Sequence, residues 1–176
     1  MITHANETEG PSLASLVSSI AHLLRGGAMT AGDIAALRRM DPRRPAAAFF
    51  KIEGLVLDPH LPGDAARRAD LETRWAAIIN GLAHLGILHQ PGLRLGSVLA
   101  GSQYSELRFA RLVRADAERL ADELPALGRF LAAKGTAVDW TAAAHLILSA
   151  DGPGDESVRR HLARDYYGSL AHQESH

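Results

Sequence analysis

The side chains best equipped for chemistry in this sequence are guanidinium groups. Of its 19 basic residues only Lys51 and Lys134 are lysines; the rest are arginines. Arginine presents a flat fork of donors that matches the paired oxygens of phosphate and carboxylate, so an arginine-weighted surface suits phosphate contact. A GC-rich coding sequence also yields much Ala, Gly and Arg, so the placement of the arginines matters more than their number. Arrangements that would support catalysis are missing by comparison. The nine His residues are scattered: His84 and His89 diverge on a helix, and His172 and His176 lie at i, i+4 in a polar terminal stretch. There is no HExxH, no glycine-rich loop leading into Lys-Ser or Lys-Thr, and no G-x-S-x-G. Asp58, His60 and Asp64 share one Pro-rich stretch that reads as a solvated connector. Cys is absent, which excludes thiolate nucleophiles, thiolate metal sites and disulfides. The residues therefore point away from an enzyme, and no metal or cofactor is expected.

The elements that must position the arginines read as helices throughout. Apolar residues at Leu13, Leu16, Val17, Ile20 and Leu24 repeat at helical spacing, and Gly26-Gly27 ends that run. Thr30 with Asp33 forms a variant capping box ahead of a helix carrying Arg38 and Arg39. A segment from Pro45 through Phe49, Phe50, Ile52, Leu55 and Val56 follows, then a loop over 58–64. The clearest helix spans Ala65 to about Leu85. A short one covers Leu95 to Leu99, and a long one starts at Ser105 and is interrupted at Pro125. Asp139 caps a helix carrying Trp140 and Ile147, and the last helix spans about Asp155 to Leu170. No segment alternates as a half-buried strand. The class is all-α: a compact bundle of about eight helices over residues 11–170, with possible lobes at 11–92 and 93–170 and loose tails at 1–10 and 171–176. At 176 residues and 47% hydrophobic composition the chain can bury a substantial core. The opening MITHANETEG has neither a basic start nor an apolar h-region, so a cytoplasmic location is expected, and no segment suits a membrane.

Placed on these helices, the arginines fall to one side. On the helix from Ser105, Phe109, Val113, Leu120 and Leu124 mark the buried side; Arg108, Arg111 and Arg119 lie opposite, within about 80° of one another at 100° per residue, with Arg114 at the margin. Glu118, Asp122 and Glu123 sit in its second half, leaving the first half locally cationic. Glu106 projects to the apolar side and reads as an architectural carboxylate, paired internally with an Arg. Arg160, Arg164 and Tyr167 share a face of the last helix. Arg38-Arg39, Arg43-Arg44 and Arg67-Arg68 each lie near a helix end. The formal net charge of −1 alone argues against a nucleic-acid binder. Phe49, Phe50, Trp75, Phe109, Phe130 and Trp140 all fall on apolar faces, which disfavours a base-stacking platform.

The order of several motifs carries a resemblance. Ala35-Ala36-Leu37-Arg38-Arg39-Met40, Pro45 and Phe49-Phe50 come first. Leu95-Gly96-Ser97-Val98-Leu99-Ala100, Ser105-Glu106-Leu107-Arg108 and Leu112-Val113-Arg114-Ala115 follow. Gly128-Arg129-Phe130-Leu131, Val138-Asp139-Trp140 and Arg160-His161-Leu162-Ala163-Arg164-Asp165-Tyr166-Tyr167 complete the set. Over residues 13–168 this resembles CasB, the small subunit of the type I-E CRISPR surveillance complex Cascade. The resemblance implies a helical, non-catalytic subunit of which two copies act beside the other Cascade subunits. It implies contact with crRNA, target DNA and the displaced strand through basic surface residues. Matched by position these are Arg38, Arg39, Arg108, Arg114 and Arg129, with Arg67 or Arg68 after the Pro-rich loop. Arg111, on the same cationic face, joins them, and Arg67 is taken for the loop position. Gly128 departs from a doubled arginine before Phe130, which implies a weaker patch there. Two other readings compete: a protein adaptor whose Arg pairs meet acidic partner surfaces, and a helix-turn-helix repressor built on Thr30–Arg39. The repressor's recognition helix would be mostly Ala, Ile and Leu, a poor base reader.

Overall fold

The computed structural model describes residues 10–175. The described residues form nine α-helices and no strand: α1 Leu13–Arg25, α2 Ala31–Arg39, α3 Ala47–Ile52, α4 Ala65–Leu85, α5 Leu95–Gly101, α6 Glu106–Arg114, α7 Ala117–Lys134, α8 Thr141–Ser149 and α9 Asp155–Glu174. The all-α expectation holds. Of the stretch expected to be a loose N-terminal tail, only Gly10 lies within the described residues. Polar caps start the helices where the sequence indicates. The Thr30 hydroxyl accepts from Asp33 N at 3.1 Å while Asp33 Oδ2 accepts from Thr30 N at 3.0 Å, a complete capping box. Asp64 caps α4, Ser105 caps α6, and Asp139 Oδ1 accepts from Thr141 N at 3.0 Å at the head of α8. No helix is long and apolar enough to cross a membrane among the described residues.

One core draws on both halves of the chain, with Ile20, Leu37, Phe49, Ile78, Leu124, Leu131, Trp140 and Tyr166 all buried within it. Its main seam joins α4 to α7, where the backbones nearly touch. A Cβ on Gly128 would lie 2.7 Å from the Cα of Gly81. The Trp140 indole covers the other side of Gly81, its Nε1 donating to Ile78 O at 3.0 Å. A second close approach, of Gly96 on α5 to Tyr166 on α9, holds the C-terminal helix in place.

Three expectations need correction. The long helix does not run from Ser105 to Pro125; it breaks at Ala115-Asp116, and α7 passes through Pro125 unbroken. Asp116 caps the new helix by accepting from Arg119 N at 2.9 Å, and Asp151 Oδ2 accepts from Ala117 N at 3.2 Å. Arg159 closes the old helix, donating to the carbonyls of Val113 and Ala115. Pro125 removes one i→i−4 bond, a loss offset by burial of its ring in the core. The segment after α3 continues as a π turn over Glu53–Leu57 and a 3₁₀ turn over Asp58–His60, so the predicted loop is helical at its start. That π turn carries Glu53 inward, and Phe50, expected on an apolar face, is 49% exposed. Finally, α9 continues to Glu174, one turn past Leu170, because Ala171, His172 and Gln173 offer no helix breaker.

Candidate nucleic-acid interface

The arginines divide by what their guanidinium groups already hold. Arg68 bonds Glu53, Asp58 and Glu72; the carboxylates of Asp58 and Glu53 keep it firmly protonated. Arg43 makes a two-pronged contact with Asp122, at 2.7 and 3.1 Å. Arg74 pairs with Asp70, Arg94 with Asp165, Arg159 with Asp155 and Arg160 with Glu156. Arg74 also closes α8, donating to the carbonyls of Ile147 and Ala150 at 2.8 and 2.9 Å. None of Arg38, Arg39, Arg67, Arg108, Arg111, Arg114 and Arg129 has a carboxylate partner among the described residues.

Part of this set is held by contacts between helices. At the end of α2, Arg38 donates through Nε to Ala83 O on α4 at 2.8 Å, which fixes its stem and leaves its terminal nitrogens without a protein partner. Asn80 donates to the carbonyls of Leu37 and Met40 at 2.9 and 3.2 Å, so the end of α2 is clamped on α4. His84 reaches Arg38 O at 3.2 Å. Burial, then the charges of Arg129 and Arg38, hold the His84 imidazole below its ordinary value. Arg39 follows directly in the chain and is exposed.

Phe130, next to Arg129 on α7, meets a second group. Arg108 lies 4.6 Å from the Tyr104 ring centre and 5.0 Å from that of Phe130, within cation–π range. Lys134 Nζ lies 5.9 Å from the Phe130 ring centre. Burial raises the Tyr104 hydroxyl above its ordinary value, and the charges of Arg108 and Arg111 oppose that rise. The charge of Glu123 pushes the same hydroxyl further up. Sequence reasoning missed Lys134 and His84; the i, i+4 spacing of Phe130 and Lys134 is the signal that could have found the former.

Other members stand apart. Arg114 lines a shallow groove of about 460 Å³ with Arg159 and Arg160, a groove that also holds Asp116, Asp151, Asp155 and Glu156. Arg67 is exposed on the first turn of α4, its neighbour Arg68 being fully engaged. Arg119 does not share a helix with Arg108 and Arg111, because the chain breaks before it. Glu106 is exposed and forms no ion pair among the described residues. The reason is angular: α6 buries Phe109 and Leu112, so its buried side is centred about 90° from Glu106 at 3.6 residues per turn. Gly128 is no vacant patch position either, since it faces the Gly81 backbone in the core.

No curated protein and no solved structure matches the chain significantly. The family described as CRISPR-associated protein Cse2 matches residues 33–167, from the first turn of α2 to the middle of α9. That span contains α4, α6 and α7 whole and includes Arg38, Arg39, Arg67, Arg108, Arg111, Arg114 and Arg129. The chain belongs to the Cse2 (CasB) family, the small subunits of type I-E CRISPR Cascade complexes.

Proposed function

We propose that this chain is a non-catalytic Cascade subunit that holds nucleic acid without reading its sequence. The ligand strands are crRNA, target DNA and the displaced strand of the R-loop. The contacts come from Arg38 and Arg39 at the end of α2, from Arg129 on α7, and from Arg108 and Arg111 on α6, with Arg108 and Lys134 over the Phe130 ring. Arg67 and Arg114 act as outlying contacts. The observation that carries this reading is the division of arginines: those on α2, α6 and α7 keep guanidinium nitrogens open, while those on α4 and α9 are largely tied to carboxylates or carbonyls. Unpaired cations on rigid helices neutralise phosphates and release counterions. The faces of Tyr104 and Phe130 are occupied by Arg108, so the interface grips the backbone and leaves bases unstacked. Exchange of a DNA duplex for an R-loop is nearly balanced, so a few phosphate contacts shift it appreciably.

The test is the combined Arg39→Ala, Arg108→Ala, Arg129→Ala variant in the assembled complex. Target DNA retention should weaken, and the slope of log K against log salt should flatten by about 0.7–0.9 for each phosphate no longer neutralised. The melting temperature of the subunit should stay within the range of surface substitutions. Target DNA held as tightly as by the wild-type complex would overturn the assignment. Salt-sensitive assembly with unchanged DNA retention would favour the adaptor reading instead.

A further inference from the structure

Two helices end side by side at a groove of about 410 Å³. Val98, Gly101 and Ser102 line it from the end of α5, Lys134 from the end of α7, and Gln103 and Thr136 from the turns that follow. Both ends close in the same way: Tyr104 N donates to Leu99 O at 3.2 Å, and Thr136 N to Leu131 O at 3.0 Å. Such a closure puts one residue in the left-handed region, where glycine is the usual choice. After α7 that residue is Gly135, with φ at 63°. After α5 it is Gln103, with φ at 60°, where a Cβ makes the conformation unfavourable. Contacts within the protein do not explain that strain. Asp151, the other non-glycine residue with positive φ among the described residues, accepts from Ala117 N and so helps to open α7. Gln103 is exposed, and its carboxamide bonds no protein group among the described residues. The Thr136 hydroxyl is likewise open, whereas Ser102 Oγ is engaged, donating to Val98 O at 2.6 Å. No carboxylate lines the groove, and its one charged side chain is Lys134. Lys134 Nζ lies 5.9 Å from the centre of the Phe130 ring that Arg108 also covers.

We propose that this groove seats a ribose of an RNA strand, its 2′-hydroxyl bonded by the Gln103 carboxamide and the Thr136 hydroxyl, its neighbouring phosphate by Lys134. The lining favours a sugar over a base or a bare phosphate. No aromatic ring is present to stack a base. Two helix C-termini carry partial negative charge, which repels an anion and attracts a hydroxyl proton. A 2′-hydroxyl both donates and accepts, and it is the group by which a protein tells RNA from DNA. A strained Gln103 is retained on this account because its side chain bonds a ligand, as strained residues at binding sites do. The inference rests on the proposed function in taking a strand to pass over Phe130 and Lys134, and it adds which class of strand lies there.

The test compares oligouridine with oligodeoxyuridine of equal length, which differ only at the 2′ position, binding to the whole chain at low salt. The wild type should hold oligouridine roughly fivefold more tightly, as one net hydrogen bond gives. Gln103→Gly removes the carboxamide and relieves the left-handed strain, so its urea midpoint should rise while the preference for RNA disappears. Gly101→Leu enters the groove from a position where a Cβ meets nothing within 4 Å, and it should abolish the preference as well. Both variants should bind oligodeoxyuridine as the wild type does. Equal affinities of the wild type for the two oligonucleotides overturn the proposal, as does an RNA preference kept by Gln103→Gly. An equal fall in both affinities in Gln103→Gly assigns the groove to phosphate alone and overturns the ribose contact. The arginine triple variant should weaken both oligonucleotides alike and keep their ratio. Unchanged affinities in that variant overturn the arginine assignment and leave the RNA preference standing, so the two readings fail separately.

Discussion

The paired arginines of α4 and α9 and the unpaired ones of α2, α6 and α7 are the same residue put to different uses. The difference follows what stands four positions away in all but Arg119, which has Glu123 at i+4 and no ion pair among the described residues. Arg68–Glu72, Arg74–Asp70, Arg159–Asp155 and Arg160–Glu156 are all i, i+4 pairs on a helix face. Arg38, Arg39, Arg108, Arg111 and Arg129 have Ile34, Ala35, Tyr104, Leu107 and Pro125 four residues before them and no acid four after. Arg114 does have Glu118 four residues on, but the helix ends between them. A chain whose formal charge is −1 can thus leave some arginines without a carboxylate partner, because the acids at i±4 fall beside the others. On the function proposed above, the pairing pattern is a better guide than net charge.

The strongest challenge to this contrast is a cation added beside Arg129. If the α7 surface accepted charge freely, Gly128→Arg would restore the doubled arginine and tighten nucleic-acid binding. The seam predicts the reverse: a side chain at Gly128 starts 2.7 Å from Gly81 Cα, in a region with no room. Destabilisation above about 4 kcal/mol is expected, measured by urea unfolding, which few point changes reach. A folded variant with raised affinity would show that the seam yields.

Next in size is a matched pair of neutralised arginines. Arg159→Met strands the carbonyls of Val113 and Ala115 and the carboxylate of Asp155, and should cost about 2–4 kcal/mol. Arg129→Met, on the unpaired surface, should stay within about 0.5 kcal/mol of wild type while weakening nucleic-acid retention. Equal costs would dissolve the distinction between the two groups. The comparison also bears on geometry, since Arg159 fixes the end of α6 and so the direction of Arg108 and Arg111.

Local signals explain what is legible. The Thr30–Asp33 box, the Asp64 cap and the Asp139 turn are short-range hydrogen bonds, and the sequence places the start of each helix accordingly. The all-helical class and most apolar faces follow from periodicity in the same way. Long-range contacts are hidden. Nothing adjacent to Ala115 shows that Arg159 and Asp151 will close one helix and open the next, so local rules put the break at Pro125, the stronger local breaker. One misplaced break then displaces Arg119 and Glu106, because both placements presume one continuous helix. The Arg43–Asp122 and Arg94–Asp165 pairs span 79 and 71 residues and leave no trace in spacing. Of the candidate arginines, those with no acid at i±4 are readable as unpaired; the placement of Arg108 over Tyr104 and Phe130 is not.

The smallest expected effect comes from the histidines beside these contacts. His89 is buried in the junction between the α4–α5 and α7–α8 connections, with Nδ1 accepting from Trp140 N at 3.1 Å, so its proton sits on Nε2. Nε2 has no protein partner among the described residues. Burial lowers the pKa of His89 below its ordinary value near 6.5; the nearby Asp139 opposes that and Arg25 adds to it. His84 is lowered too, by burial first and then by Arg129 and Arg38. A lowered pKa means the unfolded chain takes up protons that the folded one refuses. The contribution of these residues is therefore complete above pH 6.5 and declines as pH falls toward the folded-state values, at no more than about 1.4 kcal/mol per pH unit for each group. Asp33 and Asp139, both lowered from 3.8, lose their contribution only in the more acidic range below that value. Urea midpoints measured from pH 7.5 to 5 should slope downward toward acid in the wild type and flatten in His89→Gln, where the amide oxygen can still accept from Trp140 N. A variant with the wild-type slope would move the proton-linked site away from the Trp140 junction and leave His84 as its source.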